Sequence, residues 1–309
     1  MPEAQRSRRL PRTRPHKIEW PTLALLALCF GGWIGSVFIL PEIGLWLAIP
    51  ALILSLALHS SLTHEVLHGH PFPSRRLSEA LVHINPGLAI PYMRFRDTHL
   101  AHHQDSRLTD PYDDPETHYL DPAVWARLPR AMQWALRVNN TLAGRMAIGP
   151  LIAQIAFMAC DARAILKGDR QVLLGWVLHV PGAIFVVWLV HQSPMPLWAY
   201  LVGAYLALSV LKIRTFLEHQ AHEKARGRTV VVEDRGLLAL LFLNNNYHVV
   251  HHMHPKVPWY DLPGLYAANK DRYLRRNEGY VHTNYAQIFR RHFFRAKDPV
   301  AHPLWPPAE

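Results

Sequence analysis

The sequence predicts an all-α integral membrane protein: four transmembrane helices in two hairpins, with a cytoplasmic helical cap that carries three groups of histidines. Three observations predict it. The first is a set of long uncharged runs, from Glu19 to Glu42, from Glu42 to Glu65, and from Gln171 to Leu211, the last interrupted by SPMP at Ser193 to Pro196. A helix rises about 1.5 Å per residue and needs roughly 20 residues to cross the hydrocarbon. The runs therefore divide into spans at about 20–40, 43–62, 172–190 and 197–216. The second is charge asymmetry: Arg6, Arg8, Arg9, Arg12, Arg14 and Lys17 precede the first span, whereas the two hairpin turns carry no Lys or Arg. By the positive-inside rule both termini face the cytoplasm. The third is that this topology places all three histidine groups on one side of the membrane.

Taken in order, residues 1–18 form a basic, Pro-containing cytoplasmic arm, and 19–309 form a single domain with cytoplasmic segments at 63–170 and 217–309. The first run is not read as a secretory signal, because it lacks a small-residue cleavage site and a second span follows at once. Within the middle segment, LVHINPGLAIPY is apolar but broken by Pro86 and Pro91, which predicts an interfacial or re-entrant piece. GPLIAQIAFMACDA is apolar but too short to cross, and is expected to lie on the membrane surface or dip into it. Pro255, Pro258 and Pro263 enforce a turn after the last histidine group. Cys29 and Cys160 both sit in apolar surroundings and imply neither a disulfide nor a thiolate metal site. The net charge of +10 comes without a nucleic-acid-binding module, so anionic lipid headgroups or an acidic protein are the expected partners, and nucleic acid is not. The expected location is the inner, cytoplasmic membrane.

The histidine groups are HEVLH (His64 to His68), HLAHH (His99 to His103) and HVVHHMHP (His248 to Pro255). Residues three and four apart lie on one side of a helix, so His64 and His68 should project together, as should His99, His102 and His103, and again His248, His251 and His252. Imidazoles from three helices that converge repel when protonated, and a metal relieves that cost. The number exceeds what one ion needs, since a zinc takes four ligands in a closed site or three in a catalytic one. It suits two six-coordinate ions that keep positions for dioxygen or water, and iron is the imidazole-bound metal suited to activating oxygen. Isolated histidines such as His59 and His179 are expected to be hydrogen-bonded or interfacial. His70 and His254, each two residues beyond a group, could support the ligands from outside.

These residues resemble the membrane fatty acid desaturase superfamily, with its three histidine boxes on the cytoplasmic side of four spans. HEVLHGHPF is similar to the first box, THLAHHQD to the second and NNNYHVVHHMHP to the third. LTDPYDDPE and HPKVPWYDLP resemble a bacterial branch that includes dihydrorhizobitoxine-desaturase-like proteins and lies near the carotenoid ketolases. The resemblance implies a further ligand after the fourth span. In RTFLEHQAHE that is His219, with His222 as its competitor. It also implies that an asparagine among Asn244, Asn245 and Asn246 holds a metal-bound water. Glu65, Asp97, Asp105 and Glu218 could accept from imidazole N–H groups and fix ring tautomers.

The implied reaction uses two iron ions and dioxygen to oxidise an unactivated carbon of a lipid, an acyl chain or an isoprenoid. The chain has no HPGG haem segment and no GxGxxG fingerprint, so electrons should come from a separate ferredoxin, rubredoxin or flavoprotein system. Desaturation is the leading expectation, and hydroxylation or ketolation of a carotenoid or other lipid is the alternative. A metal transporter or sensor is the reading from another class. It calls for ligands near the bilayer midplane, where only His179 is well inside a span.

Overall fold

The computed structural model describes residues 17–305. The basic arm expected at 1–18 therefore lies almost wholly outside the described residues, as does the side chain of Asp105. Among the described residues, five helices are long and apolar enough to cross a membrane: Trp20–Ile43, Leu45–Leu67, Gly149–Leu166, Arg170–His191 and Leu197–Thr215. Four of them match the expected spans. The fifth corrects one part of the expectation for GPLIAQIAFMACDA: as the helix Gly149–Leu166 of 18 residues it is long and apolar enough to cross, not too short. Asp161 is buried there in a two-pronged pair with Arg94, Nε to Oδ2 at 2.9 Å and Nη2 to Oδ1 at 2.8 Å, and it also accepts from Trp176 Nε1 at 2.8 Å. A buried carboxylate so fully paired leaves the helix free to continue.

The first two long helices form an antiparallel pair that turns at Gly44. Its φ of 157° lies where side chains are rarely tolerated, and an added Cβ would meet the Trp46 indole at 2.6 Å. Leu197–Thr215 lies closest against Leu45–Leu67, more than against its sequence neighbour Arg170–His191. A Cβ on Gly203 would meet Leu52 at 2.6 Å, so a small residue sets this close approach. Trp33, Val37, Leu52, Val186, Val190 and Tyr200 fill the core between these helices. Their outer faces leave Leu28, Trp46, Ile155, Ile184, Trp188 and Trp198 exposed, the apolar and Trp-rich surface that lipid requires.

The Pro86–Pro91 stretch is not helical, and it threads between these helices. Ile84 reaches the level of Gly182, in the middle of Arg170–His191. Its carbonyls are met by side chains: Tyr200 Oη donates to Pro86 at 2.6 Å, and His179 Nε2 lies 2.8 Å from the Leu88 oxygen. Trp33 Nε1 donates in turn to Tyr200 Oη at 3.0 Å. Irregular backbone among apolar helices is tolerated where protein groups satisfy it, which is the use of two polar residues inside apolar helices.

The remaining chain packs at one end of this bundle. A two-residue parallel pair, Val231–Val232 with Val281–His282, folds the C-terminal region on itself, and a bridge from Leu120 to Ala301 ties the middle segment to it. Val231, Tyr247, Val250, Leu262, Tyr266 and Tyr273 form a local core under the helix His248–Met253.

Candidate metal centre

Three helix ends aim their histidines at one volume. His64 lies in the last turn of Leu45–Leu67 and His68 caps it. The helix Tyr92–His102 carries His99 and His102, with His103 at its C-cap. The third group occupies His248–Met253, preceded by Leu243 and Asn244 in left-handed backbone, φ 50° and 55°. That turn delivers Asn245 and then His248 into the site, a backbone conformation uncommon for side-chain-bearing residues.

The nine expected ligands gather in two groups. His64, His68, His99, His103 and His251 form one, and His102, His219, His248 and His252 form the other. Within each group one ring nitrogen per residue lies within 4.8 Å of all the others. The expectation that each HxxHH set acts as one face is therefore corrected. At 3.6 residues per turn, positions i and i+4 are roughly 40° apart around the axis, whereas i+3 and i+4 are about 100° apart. So His99 and His103 go to one group and His102 to the other, while His248 and His252 stay together and His251 crosses over. His219, and not His222, completes the smaller group.

Inside the groups, ring nitrogens face one another. His219 Nε2 lies 2.8 Å from His102 Nε2 and 3.1 Å from His248 Nε2. His103 Nε2 lies 2.9 Å from His99 Nε2 and 3.2 Å from His251 Nε2. On the far side of the rings, His102 Nδ1 meets Asp114 Oδ1 at 2.7 Å, His99 Nδ1 meets Glu116 Oε1 at 2.9 Å, and His248 Nδ1 meets Asn245 Oδ1 at 3.2 Å. A ring that gives its Nδ1 proton to an oxygen presents a lone pair at Nε2. In the neutral form that a ligand needs, His102 and His248 both aim lone pairs at His219, whose single proton could serve only one of them. A cation between the three resolves the conflict, so the donor set fits imidazole-liganded transition metals.

Burial and the crowding of neighbouring imidazoles hold His103, His219, His248 and His251 below the ordinary histidine range, in the unprotonated form a ligand needs. His102 differs. Burial lowers it, but Glu116 and Asp114 outweigh burial and push it up to about 9. Burial raises Glu116, and the facing His102 and His99 reverse this and hold it below the usual carboxylate range.

Of the expected supporting residues, Asn245 and Glu218 are at the site. Asn245 Nδ2 donates to Glu218 Oε1 at 3.2 Å, and Glu218 lies 3.8 Å from His248 Nδ1. Asn245 spends its oxygen on the His248 ring, whereas Asn244 donates to the Trp259 carbonyl and Asn246 to those of Val232 and Asp234. The others are elsewhere. His70 and Glu65 belong with Glu19 in a separate cluster, with His70 Nδ1 2.7 Å from Glu19 Oε2 and the Glu65 carboxylate accepting from Trp259 N–H. Asp97 pairs with Arg96 and Gln171, His222 meets the Lys224 backbone, and the His254 ring lies beside Tyr273. Sequence reasoning missed Asp114 and Glu116 as the imidazole acceptors. They sit in LTDPYDDPE, a stretch noticed only for its resemblance, and its DDPE acids close behind the second box were the available signal.

Apolar helices that end in two groups of buried and half-buried imidazoles define a membrane protein with a histidine-rich metal centre. Comparison with protein families matches the fatty acid desaturase family over residues 41–284, and the chain belongs to that family. It is thus a membrane desaturase-type oxidoreductase, and its family generally uses two iron ions. No curated protein gives a match.

Proposed function

We propose that the protein is an oxygen-dependent di-iron enzyme that inserts a C=C bond into a membrane lipid. The observation that carries this reading is the partition of nine imidazoles into groups of five and four at the end of an apolar bundle. The first ion would be held by His64, His68, His99, His103 and His251, and the second by His102, His219, His248 and His252. With dioxygen and electrons from outside, such a centre supplies the power to remove hydrogen from an unactivated carbon. The chain's own task is to hold the lipid and exclude water. A cavity of about 60 Å³ lies beside the five-histidine group, walled by Leu56, Phe95, Ala207 and Leu211 and by Thr63, the residue before His64. Such walls would hold one methylene facing the metals.

Four of the five long helices cross the membrane in this proposal. His102 and His219 meet at 2.8 Å, yet three long apolar helices separate them in sequence. Three crossings would put them on opposite faces, so one helix does not cross. Gly149–Leu166 is the natural exception, since it carries Asp161 and Arg163. The positive-inside rule then puts the boxes and both termini in the cytoplasm, at the inner membrane. There the basic surface would dock an acidic ferredoxin, rubredoxin or flavoprotein, and turnover should weaken as salt rises. His179 supports an enzyme over a metal carrier, because its ring is committed to the Leu88 carbonyl.

Untargeted mass spectrometry of lipids from an aerobic host, comparing wild type with His102→Ala, tests the reading. A histidine-dependent species lacking two hydrogens is expected. A species that gains oxygen or a ketone instead would move the assignment to a hydroxylase or ketolase. Identical extracts would count against lipid oxidation altogether.

A further inference from the structure

Among the described residues, His59 is the one imidazole lining this cavity, and it belongs to neither histidine group. It lies in Leu45–Leu67, five residues before His64, so about 7 Å deeper along the helix axis. The ring is almost completely buried, and its Nε2 has no hydrogen-bond partner. Its Nδ1 reaches only Thr63 Oγ1 at 3.5 Å, and that hydroxyl is already donating to the His59 carbonyl at 2.8 Å. The edge of Phe30, ring centroids 5.4 Å apart, packs against the imidazole. A polar atom withdrawn from water in an apolar wall is unfavourable unless something meets it, and unpaired ones in native proteins point to a missing partner. None of the other polar side chains of the wall, Ser60, Asn85 and Tyr92, bonds to His59 Nε2, and Asn85 spends its amide on the Ile90 carbonyl and the Gly87 N–H.

Resting on the proposed lipid oxidation, we infer that the missing partner is the substrate: a lipid whose apolar body carries a hydroxyl or carbonyl oxygen, held by His59 at this depth. A plain acyl chain would leave Nε2 unpaired, whereas an oxygen at that position satisfies it and fixes which carbon faces the five-histidine group. The same hydrogen bond sets register along the cavity, which apolar walls alone cannot do.

The test compares full-length wild type, His59→Phe and His59→Gln, each purified in mild detergent, by mass spectrometry of the lipids that remain bound. Wild type is expected to retain a lipid with oxygen in its apolar body. His59→Phe should hold about tenfold less of it and His59→Gln should keep it within about threefold, the size of one lost neutral hydrogen bond. Equal iron content in the three proteins shows that His59→Phe has kept its fold. The same lipids at the same levels in all three, or only plain acyl lipids on the wild type, would overturn the inference and leave a water as the partner of His59. His102→Ala separates the two claims. It should bind the lipid without converting it, and if it still converts lipid, the proposed function fails while the His59 comparison still stands.

Discussion

The two histidine groups are built from the same boxes in opposite proportions. The five-histidine group takes a pair from each of the first two boxes and one residue from the third, whereas the four-histidine group takes one from the second, a pair from the third, and His219. Their support differs too. In the smaller group, His102 leans on Asp114, which is itself fixed by the backbone N–H groups of Thr109 and Glu116 at 2.8 and 3.0 Å, and His248 leans on Asn245. In the larger group, the carboxylate behind His99 is Glu116, whose side chain is 31 % exposed against 2 % for Asp114. The smaller group has fewer ligands held more firmly, and the larger has more ligands held by one another. Rigidity from outer hydrogen bonds can substitute for ligand number.

That comparison can be broken at its strongest point by substituting ligands. Both His219→Ala and His251→Ala should lose activity, by more than the roughly 100-fold that loss of an outer partner costs. Their iron contents should differ: His219→Ala drops one ion per chain, while His251→Ala, with four imidazoles left, stays closer to two. Next in size, Asp114→Asn should weaken iron retention or turnover by roughly 10 to 100-fold, read by competition with a chelator. Iron loading of the stripped protein should rise about tenfold per pH unit until His102, at about 9, has lost its proton. The sign for the metal-free fold is opposite. A histidine whose folded value is raised stabilises fully below its ordinary value near 6.5, and that contribution fades as pH climbs through about 9. Thermal unfolding of the stripped protein across that window checks it.

Glu116→Gln should cost less, about tenfold or below, because water can replace part of the role of a carboxylate that is only partly buried. The smallest effect on the metals comes from His179→Leu, which removes the partner of the Leu88 carbonyl. It should lower stability by about 1 to 3 kcal/mol in a denaturation assay and leave iron content unchanged.

Much of this was legible in the sequence, for physical reasons. Uncharged runs long enough to cross a bilayer marked four helices, and HxxxH and HxxHH spacing marked the histidines that converge. Spacing separates the i+3 histidine of each HxxHH set from its i and i+4 partners, but which boxes then share a group was not legible, because spacing fixes angles around one helix and not the angles between helices. The length of Gly149–Leu166 was underestimated because its apolar stretch ends near Asp161, and nothing local shows that Arg94, far away in sequence, pairs with that carboxylate. Asp114 and Glu116 escaped for a similar reason: a carboxylate in a loop becomes an imidazole partner only once the loop has folded back on the box. His179 read as an isolated polar residue because its partner is a backbone carbonyl, which no side-chain pattern reveals.

The most direct test of the central claim is metal analysis of the purified protein, with iron per chain measured for wild type and for His219→Ala in one preparation. Two irons falling to one would establish that the two histidine groups are separate sites. No iron in active wild type, or an unchanged content when His219 is removed, would contradict it.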